Sequence, residues 1–134
     1  MTRRRAGGAA VAFAVALLAA GAAPALAKRA GPAPVAPVVM GAVRFEAPPW
    51  ARVAGADQNG GVVVARDASS GAQLWAAKVY TVTYDANLEG DVQDVFIVGL
   101  QPSPDGRSLL VTDERGRHWR LDLASHVAAP AAGP

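Results

Sequence analysis

The chain has 134 residues, 13 of them basic and 11 acidic, with two histidines and no cysteine. The missing cysteine excludes disulfides, thiolate nucleophiles and Cys-ligated metals together. A net charge of only +2, partly owed to an arginine run at the very start, leaves no basic stripe for nucleic acid.

Residues 1–27 have the three parts of a secretory signal. Arg3, Arg4 and Arg5 form a positive start, residues 9–20 are uncharged and apolar, and Ala25-Leu26-Ala27 is the small-x-small pattern cleaved by signal peptidase. Cleavage before Lys28 is expected, with export to the periplasm or the medium. It would take the basic count from 13 to 10 against 11 acids, close to neutral. Two alternatives stand beside this one. The uncharged stretch 7–27 is just long enough to remain as an uncleaved membrane anchor. Arg3-Arg4 also fit a twin-arginine route, although Arg5-Ala6-Gly7 replace the apolar residues expected after the pair.

Residues 28–37 form a Pro/Ala-rich linker that sustains neither helix nor ladder. Residues 38–125 are expected to be the folded β domain, and 126–134 a flexible tail of similar Pro/Ala character. Within the domain, turn clusters fall about every 8–15 residues, with β-branched and aromatic runs between them. Residues 38–46 are the first expected strand, stopped by Pro48-Pro49. Asn59-Gly60-Gly61 is a turn signal, and 62–66 is a β-branched strand. Residues 73–84 alternate, placing Trp75, Ala77 and Val79 on one face and Lys78, Tyr80 and Tyr84 on the other.

Residues 85–91 make an acidic connection, with one short helical turn at most in 91–96. Strands are expected at 95–100 and 108–112, joined by the turn Pro104-Asp105-Gly106. Glu114-Arg115-Gly116 turns the chain again. Residues 118–123 alternate with Trp119, Leu121 and Leu123 inward. The fold class is therefore all-β: a small antiparallel meander or sandwich of five to seven strands.

A self-match runs through this pattern: residues 61–70 align with 116–125, so that Gly61, Asp67 and Ser70 correspond to Gly116, Asp122 and Ser125. The first copy goes on to Gly71 and Leu74-Trp75, whereas the second has His126 in place of glycine. A strand ending in Ala65-x-Asp67, a turn through Ser70-Gly71 and a following Leu74-Trp75 strand resemble the repeat of quinoprotein-type (PQQ-like) β-propeller blades. The hairpin at Ser103-Pro104-Asp105-Gly106 and 109–112 is similar. This resemblance implies turn and packing roles for Asp67, Gly71, Trp75, Gly106, Gly116, Trp119 and Asp122. It implies no cofactor, because the quinone- and Ca²⁺-binding residues of those enzymes have no counterparts here. Val79-Tyr80 and residues 91–96 are also similar to segments of small exported bacterial proteins, a likeness that implies no activity.

Chemistry has few places to reside. Asp85, Glu89, Asp91 and Asp94, with Asn87 and Gln93 among them, are candidate oxygen ligands for Ca²⁺, without EF-hand spacing. One short loop on a small sheet makes a poor cleft for a glycosidase-type carboxylate pair. His118 and His126 lack a third zinc ligand, and Ser69-Ser70-Gly71 lacks the nucleophile-elbow frame. Trp50, Tyr80 and Tyr84 pack in or at the edge of the sheet, or alternatively form an exposed face for a sugar or peptide. The expected function is non-enzymatic: an exported β module that binds a protein partner or itself. The alternative is a small-ligand or Ca²⁺-binding domain using the acidic loop.

Overall fold

The computed structural model describes residues 31–133; the signal-peptide reading of 1–27 and the start of the linker lie outside them. Eight strands form two antiparallel sheets, each a meander in chain order. The first sheet comprises β1 (Val38–Met40), β2 (Val43–Glu46), β3 (Val62–Asp67) and β4 (Gln73–Lys78). The second comprises β5 (Ile97–Pro102), β6 (Ser108–Asp113), β7 (His118–Asp122) and β8 (Ala128–Ala131). Among the described residues the only α-helical turn is α1 (Gly90–Gln93), in the crossing between the sheets. Among the described residues no helix is long and apolar enough to cross a membrane.

The class is all-β as expected, but eight strands replace the expected five to seven. One extra strand arises because 38–46 folds back on itself: Met40 pairs with Val43 across a turn in which Gly41 takes a positive φ of 62°. The other is β8, within the residues assigned to a flexible tail. There Ala128, Ala129, Pro130 and Ala131 pair with Leu121, Arg120, Trp119 and His118. The low-complexity composition concealed this strand, and an edge position is where a ladder tolerates proline. At the other boundary Val35, inside the expected linker, already packs against the core.

The inner faces of the two sheets share one core. Phe45, Val63, Ala65 and Ala77 come from the first sheet, and Ile97, Leu109, Val111 and Leu121 from the second. The alternation of β3 and β7 sends every second side chain into this layer. Small Ala65 lies opposite Trp75 in the ladder, and Trp75 tilts against Phe45 with centroids 5.9 Å apart. The first strands of the two meanders, β1 and β5, lie beside one another. A smaller cluster of Ala51, Val62 and Val64 covers the opposite face of β3 beneath a 3-10 turn at Ala51–Ala54.

The expected long strand 73–84 stops at Lys78, and with it the alternation. Val79 and Tyr80 are both buried, so Tyr80 does not lie on the outer face with Lys78. Its hydroxyl donates to the Val95 carbonyl at 2.6 Å, and its ring stacks on Trp119 with centroids 5.3 Å apart. Gln58 locks the region, donating from Nε2 to the carbonyls of Gly60 and Tyr80 while Oε1 accepts from the Val82 amide. The predicted turn at Asn59-Gly60-Gly61 has positive φ at both glycines, and Gly60 also meets a neighbouring backbone. A Cβ there would stand 2.3 Å from the Val95 carbonyl oxygen.

Candidate functional site

The two copies of the repeat build the same turn. Asp67 Oδ1 accepts from the amides of Ser69 and Ser70 at 2.9 and 2.8 Å, while Gly71 donates its N–H to the Asp67 carbonyl at 2.8 Å. In the second copy Asp122 Oδ1 accepts from Ala124 and Ser125 at 2.9 and 2.7 Å, and His126 N–H reaches the Asp122 carbonyl at 2.9 Å. The Ser70 and Ser125 amides are the leading reason that both aspartates sit below the ordinary carboxylate pKa. Gly71 has φ 77°, and His126 holds the equivalent left-handed conformation at 63°. His126 also lies flat on Trp75, 3.9 Å between centroids and 17° between planes. The histidine thus ties the β7–β8 turn to β4.

Gly106 and Gly116 complete tight turns at φ 71° and 79°. Beside Gly106, Asp105 accepts from the Ser103 hydroxyl and the Arg107 amide. Beside Gly116 stands Asp113, 1% exposed. Its Oδ1 accepts from the amides of Arg115 and Arg117; its Oδ2 accepts from Arg117 Nε at 2.7 Å and Trp119 Nε1 at 3.1 Å. Burial by itself pushes this carboxyl up, but the Trp119 indole and the Arg117 and Arg115 donors together outweigh it. The pKa falls below the ordinary Asp value.

The four candidate Ca²⁺ ligands are not brought together. Asp94 is buried and accepts from the Tyr84 hydroxyl and the Asn59 side-chain amide. Asp85 Oδ1 accepts from the Asn87 amide, closing a local turn. Glu89 precedes α1 and Asp91 lies in its first turn. Among the described residues no three acidic or histidine side chains gather closely enough to hold a metal. The loop is filled by Gln93 instead. Its Nε2 donates to the carbonyls of Asp85, Leu88 and Glu89 at 3.0–3.2 Å, and its Oε1 accepts from the Asp85 amide. A neutral amide therefore satisfies the three carbonyls of this loop. The proposed aromatic face is not assembled either: Tyr80 is interior, Tyr84 lies under the Arg52 guanidinium at 4.8 Å, and Trp50 packs edge-on to Phe96.

Two more surface features of the described residues bear on function. One is a cleft of about 330 Å³ lined by Thr81, Val82, Thr83, Leu88, Val92, Gln93, Val95, Arg115 and Arg117. It lies between the 81–95 connection and the β6–β7 turn. Its walls are set by bonds already described: Gln93 fastens one side, and Asp113 fixes Arg117 on the other. The second feature is β4, one of the two outer strands of the first sheet. Gln73, Leu74 and Ala76 are exposed along it, and Lys78 pairs with Asp57 at 2.9 Å.

The sequence reading passed over Asp113, Gln58 and the arginine pair, and took Gln93 as an oxygen ligand rather than as the amide that bonds the loop's own carbonyls. Asp113-x-x-Gly116 carried a visible turn signal. The alternation of Arg115 and Arg117 about Gly116 was visible too, but what they face comes from more than twenty residues away in the chain. No protein-family model matches the chain, and no curated protein is significantly similar to it.

Proposed function

We propose that the protein is an exported, non-enzymatic β module that binds another polypeptide along the edge of β4. The observation that carries this reading is the inequality of the four sheet edges. β1 has three residues and lies beside β5. β5 itself has a register break between Ile97 and Gly99 and ends in Pro102. β8 contains Pro130. β4 offers six residues without proline or glycine; its ladder with β3 shifts register only at its start, between Ala65 and Arg66, and Leu74 there is 51% exposed. Natural sheets blunt edges with short strands, bulges and prolines, and the edge left unprotected is where an extended segment adds main-chain hydrogen bonds.

The blade resemblance supports the same reading. Two consecutive four-stranded meanders that share one core are the arrangement of neighbouring blades, which pack further sheets on their open faces. Photocrosslinking from position 73 in producing cells is expected to give one defined adduct that is lost in Leu74→Lys, whereas position 120, on the opposite sheet, gives none. Equal adducts at both positions, or none at 73, would contradict β4 as the binding edge. Fractionation of the same cells checks export: the chain should run at the mass left after cleavage before Lys28, in the envelope or the medium.

A further inference from the structure

We propose that the cleft between the 81–95 connection and the β6–β7 turn binds a small amphipathic carboxylate, its acid group on Arg115 and Arg117 and its hydrocarbon part against Leu88, Val92 and Val95. This lies beyond the β4 reading and does not depend on it.

The first argument is charge. The lining contains two guanidinium groups and no acidic residue. Arg117 is committed to Asp113 only through Nε, and its guanidinium lies 5.5 and 5.4 Å over the Tyr80 and Trp119 rings. The outer amino groups of that fork have no hydrogen-bond acceptor among the described residues, and neither has the side chain of Arg115. A guanidinium held in place by a buried carboxylate and two rings loses little freedom on meeting an anion, and its planar fork matches a carboxylate. Thr81 and Thr83 add two hydroxyls that make no side-chain hydrogen bond with the described residues.

The second argument is the remainder of the lining. Leu88 and Val92 are 58% and 54% exposed, and both open onto this cleft, facing Val82 and buried Val95. Two large apolar side chains left uncovered at one polar cleft suit a ligand with both a charge and a hydrocarbon segment. The third argument is size: the volume is at the lower end of ligand pockets, about 300–1,000 Å³, which suits a short-chain acid and excludes a folded partner. The loop read from its acids as a cation site thus presents, on its cleft side, the opposite ligand charge.

Octanoate is the probe, with octanol and inorganic phosphate as its uncharged and non-amphipathic counterparts. Titration of the purified protein, followed by amide NMR shifts, should move Thr81, Thr83, Val92 and Gly116 with octanoate. Affinity for octanoate should exceed that for either counterpart by about tenfold or more. Loss of one charged donor corresponds to about a tenfold weakening, and Arg115→Gln should show it. Arg115 is the informative site because its side chain holds nothing else in place, whereas Arg117→Gln also disturbs Asp113. Leu88→Asp, on the exposed wall, should abolish binding while the spectrum stays folded. Absence of octanoate shifts at 10 mM, phosphate binding as tightly as octanoate, or unchanged affinity in Arg115→Gln would each overturn the proposal.

Discussion

Asp113 holds the β6–β7 turn of the second sheet together. A carboxylate with almost no solvent contact keeps its charge because four N–H groups converge on it, two from backbone and two from side chains. Substitution by alanine would orphan the Trp119 indole and leave Arg117 without its anchor. The expected cost is about 2–3 kcal/mol, read as a lower denaturation midpoint at unchanged slope. Asp113→Asn should recover part of it, since an amide oxygen still accepts two of the four bonds. An alanine variant within about 0.5 kcal/mol of the parent would show that Asp113 is not structural. Its turn signal was legible from Gly116; its burial was not, because Trp119 reaches it only after β6 and β7 pair.

At the scale of elements, β8 shows how composition misleads. Residues 128–131 read as a Pro/Ala tail, yet all four pair with β7, and Ala128 packs against the core. Their pairing is decided by what lies opposite. The turn at Asp122 reverses the chain, the left-handed His126 closes it, and the Trp75 stack fixes its direction. Ending the chain at His126 should therefore destabilise the domain by about 1–3 kcal/mol through lost pairing and newly exposed Leu121. A passive tail would leave the melting temperature unchanged. The strands 62–66, 108–112 and 118–123 were legible almost to their ends, because β-branched residues and alternation there agree with turn glycines on either side. The strand expected at 73–84 was overextended: its apolar period continues past Lys78, but Val79 and Tyr80 are buried from a connection rather than from one sheet face.

For the whole molecule, acid is the revealing variable. Glu46 is held low chiefly by its bond from Arg66, with Arg44 adding to it, and Asp67, Asp105, Asp113 and Asp122 are lowered as well. A carboxyl whose folded pKa lies below its unfolded value binds fewer protons when folded. Its contribution is complete above the unfolded pKa, about 3.9–4.3, and is lost as pH falls through the folded value. These carboxylates should leave stability level from about pH 8 down to 5 and reduce it steeply below about 4. Denaturation midpoints across that range test the sign, and Asp113→Asn should flatten the acid limb. The exposed turn aspartates contribute less than Glu46 and Asp113, because water screens them.

Legible from the residues alone were the all-β class, the turns at Asn59-Gly60-Gly61, Pro104-Asp105-Gly106 and Glu114-Arg115-Gly116, the repeated Asp-to-Ser turn and the inward set of β7. Each of these follows from local chemistry: φ preference at glycine, side-chain acceptance by aspartate, and a period of two. Only the pairing of distant segments makes two meanders rather than one, sets Pro130 in an edge strand and turns Gln93 across the acidic loop. It also decided that Arg115 and Arg117 face Leu88 and Val92 across a cleft. Those outcomes depend on pairings between segments far apart in the chain, and no local preference of the residues involved encodes which segment each one meets.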